Sequence, residues 1–215
     1  MATEIEFKWD ANTPRAFYKM RGALERIGVQ VSSATRWNIT DVYVDTPARD
    51  FEKQKIAFRV RHANQNWEAT FKTRTEIVRG KAVRREETCT LPGVKNVTQA
   101  LEILQRKKIW KGLNLQNLFP LFTLKNRRET YWITYQKTHM ELALDTCEIL
   151  VCGRRVLFKE IELEYKSGTR KNFEELGAQL TQRSGLVRAQ ISKVKTALLL
   201  RAMWRANDSG CSRII

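Results

Sequence analysis

Two runs of the chain, Glu4-Ile5-Glu6-Phe7-Lys8 near its start and Glu160-Ile161-Glu162-Leu163-Glu164 far downstream, alternate carboxylates with large apolar residues. Successive side chains of a β-strand point to opposite faces, so each run reads as a strand with one acidic face and one apolar face. The apolar face has to be buried. The acidic face needs an explanation, because the 215 residues carry 39 Lys and Arg against 23 Asp and Glu, a net charge of +16. Carboxylate rows in so basic a protein are better explained as a cation site set among arginines and lysines than as solubilising surface. That combination suggests a metal ion and a polyphosphate.

The same alternation recurs between the two runs. Phe58-Arg59-Val60-Arg61 puts two guanidiniums on one face; Thr70, Lys72 and Arg74 share another. Arg84 with Glu86, Lys125 with Arg127 and Glu129, and Glu141 with Ala143 and Asp145 repeat the arrangement. A single such strand reads as the solvated side of an antiparallel sheet. Seven of them, each with an apolar opposite face, fit a closed barrel whose helices pack outside and whose charges point inward. An interior lined by charges of both signs is a binding cavity, because unpaired buried charge is very costly. The expected class is therefore α+β: a closed eight-stranded antiparallel β-barrel, or tunnel, with flanking helices.

Strands are expected at about 3–9, 30–45, 56–63, 66–74, 82–91, 121–135, 139–147 and 155–166. Helices are expected over 16–27, with Thr13 as cap and Pro14 in the first turn, and over 99–108 behind Thr98. Two more follow at about 171–184 and 190–204. No repeat or linker divides the chain, so residues 1–205 read as one domain and 206–215 as a disordered tail. The tryptophans Trp37, Trp67, Trp110 and Trp132 read as core rather than as stacking platforms. Four dispersed cysteines suggest neither a zinc site nor a disulfide framework, and no apolar run approaches a membrane span. A cytoplasmic location, with no membrane partner, is the expectation.

Chemistry follows from the charged faces. Glutamate rows suit a hard cation such as Mg²⁺ or Mn²⁺, arginine pairs grip phosphate oxygens bidentately, and lysines add point charge. Together they fit phosphoryl transfer to a held water, with no Gly-rich phosphate loop in the sequence. Composition taken alone points instead to nucleic acid.

The ordered set resembles the CYTH superfamily, or triphosphate tunnel metalloenzymes. Glu4-x-Glu6-x-Lys8 matches its ExExK hallmark, and Asp41–Pro47 is similar to its strand ending in D-T-P. Phe58–Arg61, Trp67–Lys72, Arg84-x-Glu86, Glu141–Asp145, Glu160–Glu164 and Ser192-Lys193 follow in the family's order. The resemblance covers residues 3 to about 195 and implies a tunnel that binds triphosphates with Mg²⁺ or Mn²⁺. It implies that Glu4, Glu6, Asp145, Glu160, Glu162 and Glu164 face the metal. Lys8, Arg59, Arg61, Lys72, Arg84, Arg127 and Lys193 would grip phosphates, and Lys8, Lys72, Lys125 and Glu86 would serve the chemical step. In Lys125-Asn126-Arg127-Arg128 the register is open, and Arg128 could face inward in place of Arg127. Asp145-Thr146-Cys147 departs from the D-x-G usual at that turn.

The leading expectation is hydrolysis of inorganic triphosphate to pyrophosphate and phosphate. Within the family the alternatives are a thiamine triphosphatase, a nucleoside triphosphatase or a class IV adenylate cyclase. Outside it stands a non-catalytic binder of polyphosphate or RNA.

Overall fold

The structure is a computed structural model that describes residues 2–73, 76–78, 81–106, 110 and 113–207. Side chains are placed throughout that range except at residues 2–4, 76–78, 81–85 and 206–207. The described elements are β1 (Ala2–Asp10), α1 (Ala16–Ile27), β2 (Gln30–Val31), β3 (Thr35–Asp45), α2 (Asp50–Lys53), β4 (Ala57–Ala63) and β5 (Asn66–Lys72). They continue with β6 (Glu76–Val78), β7 (Lys81–Thr90), α3 (Val97–Arg106), β8 (Phe119–Tyr135), β9 (Thr138–Val151), β10 (Arg154–Ser167), α4 (Arg170–Ser184) and α5 (Lys193–Asn207). The expected strand over 30–45 is interrupted and becomes β2 and β3. The helix expected from 190 starts at Lys193, and residues 208–215, most of the expected tail, lie outside the described residues.

All strand pairing is antiparallel, in the order β1-β10-β9-β8-β3-β4-β5-β7. The β1 strand divides its two edges: Glu6–Asp10 pair with β10, and Ala2–Glu6 pair with β7. This second ladder returns the order to its start and closes an eight-stranded barrel, as the alternating pattern predicts.

Apolar residues form three layers, two of them on the outward faces of the strands. Ile5, Phe7, Ile133, Met140, Leu142, Ile161 and Leu163 pack against α1 and α4 through Met20, Leu24, Phe173, Leu176 and Leu180. Val42, Phe58 and Val60 pack against Phe51 of α2 and against Ala100 and Leu104 of α3, with Trp110 across them. In the third, Tyr43, Leu124, Ile149 and Val151 meet Ala197 of α5 on the inward rows, Ile149 and Val151 being in step with Asp145 and Tyr43 and Leu124 lining the cavity. Burying the apolar stripe of every strand under these helices leaves the alternate, charged side chains no place but the interior.

At Gly177 of α4, helix and sheet approach so closely that an added Cβ would collide with the Phe7 ring. That ring is already held by Phe173, 4.8 Å away between centroids, and by the Arg188 guanidinium at 3.9 Å. Gly177→Ala is therefore expected to destabilise by about 1–3 kcal/mol through overpacking. The helix-propensity gain of about 1 kcal/mol acts in the opposite direction. Urea unfolding checks the net sign.

The first helix covers the expected 16–27, but the capping of two helices differs from expectation for local reasons. Pro14 initiates a turn in which Ala16 N–H donates to the Thr13 carbonyl, with Arg15 left-handed at φ 62°, so the helix begins after the proline. At α3 the cap is Asn96, not Thr98. Its Oδ1 accepts from Gln99 N–H, while the Gln99 side chain accepts from Lys95 N–H. Cys152 is disulfide-bonded, which the cysteine spacing does not predict, whereas Cys89 and Cys147 are free. Among the described residues no helix is long and apolar enough to cross a membrane.

Candidate active site

The interior is a cavity of about 550 Å³ whose walls carry Lys8, Arg59, Arg61, Lys72, Arg128 and Lys193, interleaved with Asp41, Glu86, Glu141, Glu162 and Glu164. Register puts them there. Across β10 and its neighbours, Lys8 stands opposite Glu162, Glu160 opposite Asp145, and Asp145 opposite Arg128. On the other wall Asp41 faces Arg61, Arg59 faces Thr70, and Lys72 faces Glu86.

One wall is built around three cations. Lys8 Nζ lies 2.5 Å from Glu162, 3.2 Å from Glu6 and 3.6 Å from Glu160. Lys193 Nζ lies 2.6 Å from Glu160, 2.7 Å from Glu162 and 2.9 Å from Asp145. Arg128 donates to both oxygens of Asp145 at 2.7 Å and to Glu162 at 2.5 Å. The last turn before α5 aims Lys193: Ser192 Oγ accepts from Lys195 N–H and Ser192 carbonyl accepts from Thr196 N–H, so Ser192 caps the helix and Lys193 opens it.

Burial pushes these carboxyls upward, but Lys193 and Arg128 more than offset it at Asp145, which is held below the usual carboxylate range. At Glu162, burial is overcome by Lys193, Lys8 and Arg128, which hold it well below. At Glu160 burial wins over Lys193 and Lys8, and the neighbouring Glu162 adds to it, so this carboxyl is raised. Two adjacent glutamates are thus driven in opposite directions.

On the opposite wall Arg61 donates to both Asp41 oxygens, at 2.6 and 2.9 Å, and Arg59 reaches the same carboxylate at 3.4 Å. Burial raises the Asp41 pKa, but Arg59 and Arg61 bring it below the ordinary value. Lys72 pairs with Glu86 at 2.6 Å. Two buried polar atoms face this space with no hydrogen-bond partner, Arg59 Nε and Asn126 Oδ1. A buried guanidinium N–H without an acceptor costs free energy unless a ligand supplies one.

The donor set fits a hard divalent cation. Glu6 and Glu164 stand directly opposite each other on β1 and β10, a like-charge pairing now countered by Lys8 and Lys166, and the candidate ligands are carboxylates, the oxygen donors such a cation takes. As the side chains stand, Lys8 and Lys193 occupy the space among the acids, and no group of three or more ligating side chains is arranged as a metal site among the described residues.

Lys125 and Arg127, expected in the tunnel, are exposed on its outer surface, where they line a shallow depression with Thr40, Thr146 and Glu148. Period two admits only one of Arg127 and Arg128 to the interior, and the pairing of Arg128 with Asp145 selects it, leaving Arg127 opposite Thr146. Glu4 and Arg84 face each other in the β1–β7 ladder, but their side chains lie outside the described residues. Asp41 was missed as a site residue; its signal is the spacing of two from Tyr43, which sits opposite Arg59. Asp45 is a scaffold instead: its buried carboxylate accepts from the N–H groups of Thr46, Phe51 and Glu52 and anchors α2, which the sequence reading did not foresee. Two of the tryptophans expected in the core, Trp37 and Trp132, are exposed at 36% and 55%.

The CYTH domain model matches residues 2–198. Over 160 residues the chain is 27% identical to an inorganic triphosphatase of Haemophilus influenzae, covering 74% of this chain and 45% of that protein. It thus spans about half the length of the curated relative it matches. A Hippeastrum adenylyl cyclase candidate, described as having a dominant triphosphatase activity, superposes with a TM-score of 0.67 at 19% identity, covering 92% of this chain and 96% of that one. A protein of Pyrococcus horikoshii gives 0.60 at 22% identity, covering 93% and 99%. At these identities the structural likenesses establish the fold.

Proposed function

Since the chain belongs to the CYTH domain family, we propose that its tunnel binds a triphosphate and hydrolyses the terminal phosphoanhydride. Inorganic triphosphate is the minimal substrate, and Mg²⁺ or Mn²⁺ the cofactor. The observation that carries this reading is the pair of facing cationic walls, Lys8, Arg128 and Lys193 on one and Arg59, Arg61 and Lys72 on the other, lining one cavity. A polyphosphate is the anion that can engage both walls at once. The curated inorganic triphosphatase relative points the same way.

In this reading the arginines hold the substrate oxygens in fixed forks and the lysines neutralise charge as the bridging P–O bond breaks. Glu86, tethered to Lys72 at 2.6 Å, is placed to orient the attacking water. Its oxygen bonds to the terminal phosphorus, and pyrophosphate leaves. Glu6, Asp145, Glu160, Glu162 and Glu164, with Glu4, would hold the cation. A cation bound there supplies further neutralisation of phosphoryl charge.

Phosphate release from tripolyphosphate, thiamine triphosphate and ATP, each with Mg²⁺, Mn²⁺ or EDTA, tests the proposal. EDTA is expected to lower release at least about a hundredfold, the scale of losing a major electrostatic stabiliser. Absence of metal-dependent release from all three substrates would sink the reading.

A further inference from the structure

One arginine outside the tunnel is buried without a counter-ion. Arg201 stands on α5 one turn beyond Ala197, which packs against the sheet, and is only 6% exposed. Its side chain makes no hydrogen bond or ion pair among the described residues. A buried guanidinium left in that state costs free energy, so an acceptor is expected nearby.

The surroundings supply more positive charge instead. Burial lowers the Arg201 pKa, and Arg205 and Arg49 lower it further; Glu52 and Asp45 act the other way without overcoming them. Both acids are already engaged. Asp45 accepts from the N–H groups of Thr46, Phe51 and Glu52, and Glu52 pairs with Arg49. Arg49 is itself incompletely satisfied, because its Nε is buried with no partner. Lys193, at the other end of the same helix, shows the contrast: burial is outweighed there by Asp145, Glu162 and Glu160, all within 2.9 Å. Lys193 has its acids, whereas the arginines at the far end of α5 lack theirs.

We propose that Arg49, Arg201 and Arg205 form an anion site between α2 and α5 that takes a small phosphate-type oxyanion. None of the three lines the tunnel cavity, so the site is separate from the one described above and does not depend on the triphosphatase reading. A carboxylate offers one planar edge, enough for a single fork. A tetrahedral oxyanion offers acceptors in several directions and can receive N–H groups from three guanidiniums at once. Arg205 is exposed, which leaves the ligand an approach from solvent. Arg201 lies eight residues from Lys193, about 12 Å along the helix axis. An anion held there ties α2 to the helix that carries Lys193.

The test uses inorganic phosphate as probe, in EDTA and chloride buffer, with the wild type, Arg201→Met, Arg49→Gln and Arg127→Ala. Methionine keeps the apolar stem of Arg201 and removes its charge. Without phosphate, Arg201→Met should melt at least as high as the wild type, by about 2–4 °C if relief of the buried charge is complete. Calorimetry should find one phosphate site fewer in Arg201→Met, or that site weakened at least about tenfold, the scale of one charge-assisted hydrogen bond. Arg49→Gln should weaken the same site, and Arg127→Ala should leave it unchanged. Phosphate should slow amide hydrogen exchange in the second half of α5 in the wild type but not in Arg201→Met. Phosphate binding retained in both Arg201→Met and Arg49→Gln overturns the site. So does an equal loss in Arg127→Ala, which would mean general screening of a +16 chain. An Arg201→Met that melts lower than the wild type in the absence of phosphate makes Arg201 a structural cation and also overturns it.

Discussion

Arg128→Ala is expected to lower kcat/KM for triphosphate hydrolysis by about a hundredfold to a thousandfold, the range for removing one preorganised charge donor. It should also cost about 3 kcal/mol of stability. Arg128 is the fork that holds both oxygens of Asp145 and one of Glu162. Asp145 is completely buried, so the variant leaves its carboxylate with Lys193 as the main counter-charge. Breaking a buried pair from one side costs about 3–5 kcal/mol, and the lower end applies because Arg128 keeps some solvent contact. Arg128→Lys should recover most of the stability but little of the rate, since an ammonium cannot span two acceptors bidentately. Arg127→Ala serves as the contrast: an exposed side chain outside the cavity, whose loss should leave melting temperature and turnover within a factor of about two. Equal losses at 127 and 128 would mean that the register of β8 has been misassigned.

Lys193→Ala should be the most pH-sensitive variant. Lys193 is the first counter-charge that holds Asp145 and Glu162 down and that limits the rise at Glu160. For Asp145 and Glu162 the folded pKa is depressed, so their stabilisation is present above the unfolded value of about 4 and is lost as pH falls through the folded value. Glu160 has the opposite sign: its raised pKa favours the fold at low pH, and that contribution disappears as pH rises through the folded value. Lys193 itself is raised well above its ordinary value, so its stabilisation persists to beyond about pH 10 and is lost only above that. Without Lys193 all three carboxyls move upward. In metal-free protein the acid limb of the stability–pH curve should shift to higher pH by about one unit or more. Thermal melts in EDTA across pH 3–9 measure it. Because the vacated position lies among three carboxylates, added Mg²⁺ or Mn²⁺ should raise the melting temperature of the variant more than that of the wild type. An unmoved acid limb would show that Lys8 and Arg128 suffice.

The barrel was readable because alternation at period two survives in nearly every strand, and a closed sheet under helices leaves charged rows one destination. Register within a strand was readable only where the alternation is clean. Phe58-Arg59-Val60-Arg61 fixes its own faces, whereas three basic residues among Lys125, Asn126, Arg127 and Arg128 do not. Only the cross-strand partner Asp145 decides, and that contact lies 17 residues away. The short α2 was invisible because four residues carry no helical period; its cause is the Asp45 carboxylate, which accepts from the backbone of Phe51 and Glu52. Trp37 and Trp132 were assigned to the core on size and hydrophobicity. Their position in the alternation, opposite Arg128 and Glu141, would have placed them on the charged rows instead of the apolar ones.

The salt bridge between Lys8 and Glu162 spans 154 positions, and Lys193 comes later still. Pairings this remote in sequence form slowly, because the chain has to close a long loop before any of them is rewarded. A nascent chain that has released β9 and β10 but not yet α5 holds Asp145, Glu160 and Glu162 without the lysine that neutralises all three. Completion of the barrel, which needs only the strands, therefore comes before full neutralisation of its acids, which waits for α5. A chain truncated before Lys193 should therefore be less stable than Lys193→Ala, because it also loses the apolar packing of α5 against the sheet.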